Sequence, residues 1–402
     1  MRSKLRLIFA SILAAASLLV FSACLNPVSL DNYAYVATIG VDPGKEYKYD
    51  ITLELQGENF SNADEISSGA SILSDEGDTL FEVINKLYQR LPTELNFSRT
   101  NVFVFNKEIA ESGAIEEFFT LSLDKLRIRS SSMVVISDCS AREFLGGRMA
   151  NNDQNINRVH ENIYRDALIS GNVAVDSVAS LYEACSGGRF DVGLSYCFFD
   201  SEIITDAKQR DEASQGNNPI GDSKSERIGG MQIYVGGAAI FDGWKMVGTF
   251  DFVDTQYLSL ASGEFSTGSI AVPLDEGKTV VFAELDEHKI SVDIKDDKVT
   301  GEISITLSIS LEQDTTGNMG AQWDGKYKDE MEKFFETELK RVFSRCRDLN
   351  SDAIGIGKEV SKKFTSAAEW EAFDWKNKYQ DCELTFDVEL ILSDYYIAVT
   401  RE

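Results

Sequence analysis

The chain has 402 residues and is strongly acidic, with 66 Asp and Glu against 39 Lys and Arg and a formal net charge of −27. A surface of that sign is repelled by nucleic acid and by anionic headgroups, so a nucleic-acid role is excluded. The hydrophobic content of 43% is ordinary for a globular protein, and at roughly 100–200 residues per domain the length calls for two or three domains.

Residues 1–24 read as a leader. Arg2, Lys4 and Arg6 form a basic n-region, Leu7 to Phe21 an apolar h-region, and Ser22-Ala23-Cys24 a small-residue cleavage site. The apolar run falls short of the about 20 residues that a spanning helix needs. Cys24 behind two small residues is similar to the bacterial lipobox, with Phe21 where that motif usually carries Leu. The expectation is a signal peptide over 1–23 and diacylation of Cys24. Such an anchor is stable because each buried methylene contributes about 0.8 kcal/mol. The alternatives are a plain signal peptide with an incidental cysteine, and an uncleaved anchor. Cleavage removes three cations, so the mature body is more acidic still. No other stretch is long and apolar enough to cross a bilayer.

After the leader, residues 33–41 and 47–55 read as strands around the turn Asp42-Pro43-Gly44-Lys45. Ile51, Leu53 and Leu55 alternate with Thr52 and Glu54. Leu80, Val83, Ile84, Leu87 and Leu91 mark an amphipathic helix ended by Pro92. A strand over 102–105, a helix over about 107–120 and a strand over 133–136 follow. Two helices are expected between Ile156 and Ala184, and a strand between Val192 and Ile203. Residues 206–230 have no apolar period and are rich in Asp, Ser, Gly, Asn and Gln, which reads as a linker.

Beyond the linker come strands near 232–241 and 246–252 around Asp242-Gly243, and a short helix near 254–261. Three strands are expected over 279–285, 289–294 and 299–311, with Asp296-Asp297-Lys298 as the last turn. A long helix spans about 326–349, with Met331, Phe334, Phe335, Leu339, Val342 and Phe343 near one face. Helices over about 355–364 and 367–379 and an alternating strand over 383–392 close the chain. Strands and helices intermix throughout, so the fold class is mixed α and β.

The chemistry-bearing residues do not converge in sequence. His160 and His288 are the two histidines, and neither has a second histidine or cysteine at metal-ligand spacing. No cofactor is implied. Besides Cys24 there are Cys139, Cys185, Cys197, Cys346 and Cys382, an odd number. A Cys185–Cys197 bridge could close a hairpin, but buried free thiols acting as small hydrophobes are the preferred reading. Gly355-Ile356-Gly357-Lys358 fails as a phosphate loop, because Asp352 and Glu359 stand where that motif needs Gly and Ser or Thr. It reads better as a helix start with glycine for close packing. Asp153, Asn155 and Asn157 have calcium-loop spacing, but Arg158 and Tyr164 occupy the positions of the required Gly and Glu. Gly193-Leu194-Ser195-Tyr196-Cys197 lacks the second glycine of a nucleophile elbow. A binding, sensing or scaffold role at a membrane surface fits better than catalysis.

Four blocks in order carry a resemblance. Ala37 to Asp42, with Gly40 and Asp42, is similar to an "aiGiD" strand end. Arg99 to Leu145 holds strand, helix and strand. Gly237, Phe241, Gly248 and Asp254 follow a "GlAvF…klvG…eT" pattern, with Asp254 where Glu is usual. Asp352, Gly355, Gly357, Trp370 and Trp375 follow "D.fgfG…W…W". With the lipobox ahead of them, these blocks resemble the Ger(x)C family, the lipoprotein C subunits of spore nutrient-germinant receptors. Leu25 and Asp394 depart from the family, which often has Trp and Gly there.

The resemblance implies a three-domain α+β lipoprotein, small β-sheets each packed with helices. The expected divisions are 24–205, the linker 206–230, a middle domain 231–278 and a C-terminal domain 279–402. It implies a non-catalytic subunit, lipid-anchored on the outer surface of the spore inner membrane, that assembles with membrane A and B subunits in nutrient-triggered germination. Structural coupling and direct nutrient binding both stay open. Trp370 and Trp375 are interface candidates, since tryptophan is enriched at interfaces. The competing reading is a lipid-anchored solute-binding protein that delivers a nutrient to a transporter, which calls for two α/β lobes around a cleft.

Overall fold

The computed structural model describes residues 33–56, 71–150, 170–174, 177–199, 233–274, 277–314 and 325–392. The leader, Cys24, His160, the calcium-like spacing and the 206–230 linker lie outside them. The described strands form two sheets.

The first sheet contains β1 (Tyr33–Pro43), β2 (Tyr49–Gln56), β3 (Ser71–Gly77), β4 (Glu94–Asn96), β5 (Val102–Asn106), β6 (Met133–Ser137), β7 (Gly193–Phe199), β8 (Ile233–Asp242) and β9 (Lys245–Phe250). Their order is β3-β2-β1-β5-β6-β7-β8-β9, with the short β4 also on β1. β1, β5, β6 and β7 run parallel, and the flanking strands are antiparallel. Parallel strands are buried on both faces, which accounts for the unbroken apolar run of β5. Phe103 and Phe105 pack on Phe118 and Phe119 of a helix on one face. Val102 and Val104 pack on Phe144 and Leu145 on the other.

The helices of this half are α1 (Leu80–Tyr88), α2 (Lys107–Ser112), α3 (Ile115–Leu126), α4 (Ala141–Ala150) and α5 (Val178–Gly187). α1 buries Leu80, Val83, Ile84 and Leu87, and Thr79 caps it by accepting from the Glu82 amide at 3.2 Å. The helix expected over 107–120 is two helices. Gly113 turns left-handed at φ 80° and ends the first.

The second sheet is β10 (Thr267–Leu274), β11 (Gly277–Lys295), β12 (Lys298–Asp314) and β13 (Glu383–Leu392), in that order. The two strands expected over 279–294 are the single β11, bent by an irregularity between Leu285 and Glu287. Asp296 and Asp297, at φ 48° and 66°, form the tight turn into β12. α7 (Gly325–Asp348) lies across this sheet and buries Met331, Phe335, Leu339, Val342 and Cys346. Each such large apolar side chain contributes about 1.5–3 kcal/mol. α6 (Phe252–Ser262) packs on α7, and α8 (Ile356–Ser361), α9 (Ala367–Phe373) and α10 (Trp375–Lys378) follow it. The helix expected over 367–379 breaks at Asp374, which is left-handed at φ 54°.

The segment 231–278 is divided between the sheets: β8 and β9 complete the first, and β10 opens the second. β8 is the shared wall. Ala239 and Phe241 lie in the first core with Met246, while Ala238 and Ile240 lie in the second with Phe250. The alternation of strand side chains puts one strand in two cores.

Candidate functional site

The first block fastens a helix to the sheet. Asp42 ends β1 and accepts from the Ala141 and Arg142 amides, through Oδ1 at 2.7 Å and Oδ2 at 3.1 Å. The carboxylate thus caps α4, where free amides and the helix dipole favour an anion. Burial nevertheless pushes its pKa up to about 6, against the pull of those two amides. Gly40 faces the same helix. A Cβ there would come within 2.9 Å of the Ala141 Cβ, so glycine sets the approach of α4.

The third block fastens α7. Asp254, fully buried, pairs with Arg341 Nη1 at 2.6 Å and with Arg345. Arg345 also lies over the Phe250 ring at 4.4 Å and donates to the Thr249 carbonyl at 3.2 Å. A Cβ on Gly248 would come within 2.9 Å of Leu349 Cδ1, so β9 makes room there for the end of the α7 segment. Gly237 is left-handed at φ 85°, and its amide donates to the Asn172 carbonyl at 2.8 Å. Phe241 is buried, and its carbonyl accepts from Ser351 Oγ at 2.6 Å.

The fourth block forms the seam between the halves. Asp352 accepts from the Gly355 amide at 3.1 Å, the Ile356 amide at 2.9 Å, the Gly357 amide at 2.7 Å and the Trp375 indole at 3.0 Å. The backbone amides that a phosphate loop would offer to a ligand are filled by an internal carboxylate. Burial raises the Asp352 pKa to about 7, opposed by these donors. Across the seam, Asp191 accepts from the Asp352 amide at 2.8 Å and from the Gly243 amide at 2.8 Å. Lys376 bridges Asp191 at 2.8 Å and Asp242 at 2.7 Å. A Cβ on Gly357 would overlap the Arg189 carbonyl oxygen, so the two segments meet main chain to main chain here.

Blocks three and four therefore meet around Phe241, Ser351 and Asp352, while Gly40 and Asp42 serve a separate contact. Asp191 and Lys376, both central to the seam, carry no motif signal. Trp375 is buried, at 4% exposure, and belongs to the seam rather than to a partner-facing surface. Trp370 is half-buried against Phe364 and Phe373. The cysteine bridge between Cys185 and Cys197 does not form. Cys185 Sγ donates to the Gly243 carbonyl at 3.0 Å, and Cys197 is buried in β7. Among the described residues no group of three or more His, Cys, Asp or Glu could hold a metal ion.

A cleft of about 430 Å³ opens beside the seam. Phe190, Val192, Leu258 and Ile354 line it with apolar surface, and Glu183, Glu264, Lys289 and Lys358 bring charge. His288 stands at its edge with Nε2 2.9 Å from the Ala261 carbonyl, and burial lowers its pKa.

Residues 26–186 match the spore germination protein N-terminal domain, and residues 236–395 match the family described as spore germination B3/GerAC like, C-terminal. No curated protein matches the chain. Its fold is similar to that in the "Crystal Structure of the GerBC protein", with a TM-score of 0.51 at 12% sequence identity, over 89% of this chain and 97% of that one. The two matched families follow each other in order over most of the chain, and the second begins inside β8, the strand that joins the two cores. The chain belongs to the Ger(x)C family of spore germination proteins.

Proposed function

We propose that this protein is the lipid-anchored C subunit of a spore germinant receptor. Cys24 carries the anchor after removal of residues 1–23, and the body sits on the outer surface of the spore inner membrane. It acts without catalysis, by assembly with membrane A and B subunits, in nutrient-triggered germination. Among the described residues no helix is long and apolar enough to cross a membrane.

One observation carries the mechanical part of the reading. Most of the family-block residues act in fastening: Asp42 on α4, Asp254 on α7, Asp352 and Trp375 on the seam. A subunit that transmits contact between partners needs two bodies joined stiffly, and the blocks serve that end. The solute-binding alternative calls for two matched α/β lobes. The sheets here are unequal, one mixed and large, the other of four mostly antiparallel strands.

The test is affinity purification from detergent-solubilised spore inner membrane, followed by mass spectrometry. Co-recovery of a multi-pass subunit and a second membrane subunit supports the assignment. Recovery of transporter subunits instead would overturn it.

A further inference from the structure

The net charge of −27 averages over the chain and conceals how charge is arranged along the first sheet. β1, β5, β6 and β7 run parallel, so the segments that lead into them lie side by side at one end of the sheet. The β8–β9 turn joins them, because the end of β8 pairs with the start of β7. In spatial order this row carries Tyr33 and Tyr35 at the start of β1, Arg99 before β5, Arg127 and Arg129 before β6, Arg189 before β7, and Trp244 and Lys245 in the turn. At about 4.8 Å per strand the row is roughly 20 Å wide.

Contacts tie the row together. The Tyr33 and Tyr35 rings lie 6.2 Å apart, and the Arg99 guanidinium is 4.0 Å from the centroid of the Tyr35 ring. Exposed Tyr182 of α5 meets Trp244 at 6.2 Å. Ser130, Tyr182 and Arg189 line one depression, so the entries of β6 and β7 share a surface. Arg99, Arg127, Arg129, Arg189 and Lys245 are exposed, and among the described residues none of them makes an ion pair within 4.0 Å. Exposed Glu94 and Glu183 stand beside the row without pairing to it. The opposite end of the sheet differs. Asp50, Glu76, Asp78 and Glu143 gather there, and Lys48 and Lys107 are taken up by Glu117 and, at 3.5 Å, by Asp138.

Unpaired cations flanked by tyrosine and tryptophan suit a bilayer surface. The cations meet anionic headgroups, and the amphipathic rings settle at the same level. The position of the row singles out a bilayer as its partner. Cys24 is nine positions ahead of Tyr33, so a chain anchored there reaches at most about 30 Å before β1 begins. β1 is itself about 35 Å long, so a tether of that reach does not let the molecule stand on its other, acidic end.

We propose that the strand-entry end of the first sheet lies on the bilayer and binds anionic phospholipid headgroups through Arg99, Arg127, Arg129, Arg189 and Lys245. The proposal rests on the Cys24 anchor for delivery of this end. The acyl chains hold the molecule, and the row fixes which way up it stands.

The test is hydrogen–deuterium exchange on the full chain, purified in detergent and transferred to vesicles. One set is phosphatidylcholine alone, the other equal parts of phosphatidylcholine and phosphatidylglycerol. With phosphatidylglycerol, exchange at 127–132, 186–190 and 243–246 is expected to slow about threefold or more, with no change around Lys107 and Asp138. The slowing is expected to fade in high salt, which screens such contacts. Arg129→Gln combined with Arg189→Gln is expected to remove most of it, since each cation contributes about a fivefold preference for an anionic surface. Lys245→Gln, also at an exposed position, supplies a further variant should the double substitution misfold. Protection that is absent, that ignores phosphatidylglycerol, or that falls on the acidic end overturns the proposal. Flotation of the same samples separates it from the anchor. Flotation with both vesicles and no protection leaves the anchor standing and removes the docking surface. Flotation with the anionic vesicles alone removes the anchor and supports the surface, and flotation with neither removes both.

Discussion

Asp352 and Asp191 hold each other through their two backbone amides: the Asp352 amide donates to Asp191 Oδ2 at 2.8 Å, and the Asp191 amide donates to the Asp352 carbonyl at 3.0 Å. The two residues are 161 positions apart and belong to different halves of the molecule. Asp352 also gathers three amides and an indole with its carboxylate. Removing that carboxylate strands several buried donors, each costing about 1–3 kcal/mol. Asp352→Ala is therefore expected to lower stability by about 3 kcal/mol or more. It should also make the seam loop around 351–357 an early site of proteolysis. Urea unfolding and limited proteolysis check this. A loss below about 1 kcal/mol would mean that the seam does not depend on this group.

Gly357 tests the same seam from its other side. A Cβ at this position would overlap a backbone oxygen, that of Arg189, which cannot swing aside as a side chain can. Gly357→Ala is expected to cost about 1–3 kcal/mol through overpacking. Gly187, at the end of α5, has nothing within 4 Å of the corresponding Cβ. Gly187→Ala is accordingly expected to be neutral or slightly stabilising, since alanine is the better helix former. Thermal melts of the two variants side by side give the comparison, and equal shifts would refute the close-approach argument.

Asp254 pairs with both Arg341 and Arg345. Breaking a buried pair costs about 3–5 kcal/mol when the partner charge stays buried. Here the arginine side chains are 35–36% exposed and can turn to water, so part of that cost is relieved. Asp254→Asn is expected to destabilise by about 2–3 kcal/mol. A double-mutant cycle with Arg345→Met should return a coupling above about 0.5 kcal/mol. Additivity within error would show that the pair is incidental.

Much of the fold is legible in the residues alone, and the misses have physical causes. β2, β12 and β13 alternate cleanly and are read correctly, as is the apolar stripe of α7. β10 escapes because Gly268 and Pro273 look like turn residues, yet an edge strand tolerates proline. β11 reads as two strands because its irregularity at Leu285 and Glu287 interrupts the period. The seam is legible only in half. Asp352, Gly355, Gly357 and Trp375 stand out as a family block. Asp191 and Lys376 do not, because they pair across 185 residues and no local pattern reports such a contact.

Attachment is separable from folding on the reading given above. Cys24 lies ahead of β1, the first described strand, so its substitution removes no described packing contact. Cys24→Ala is expected to move the protein from the membrane pellet to the soluble fraction, or to leave it held by an uncleaved leader. In both cases thiol-independent lipid labelling is lost, while the melting temperature of the body is unchanged. Retention of label would exclude Cys24 as the anchor.

Asp42 and Asp352 give stability a definite pH dependence. Both carboxyls are raised from the ordinary 3.8, to about 6 and about 7. A group whose pKa is higher when folded favours the folded state in its protonated form. The benefit is full below the unfolded pKa near 4 and is lost as pH rises through the folded value. These two groups therefore make the protein less stable at pH 7 than at pH 4–5, opposite to the usual behaviour of paired acids. For Asp42 the change between the limits is on the order of 3 kcal/mol, from the size of the shift. Asp42→Asn keeps an oxygen to accept from the Ala141 amide and removes the titration. The difference in unfolding free energy between the variant and the parent should then shift in favour of the variant as pH rises from 4 to 7. Urea melts across that window measure it. A difference that stays constant with pH would place the Asp42 carboxyl in its ordinary range and make its capping of α4 a plain charged contact.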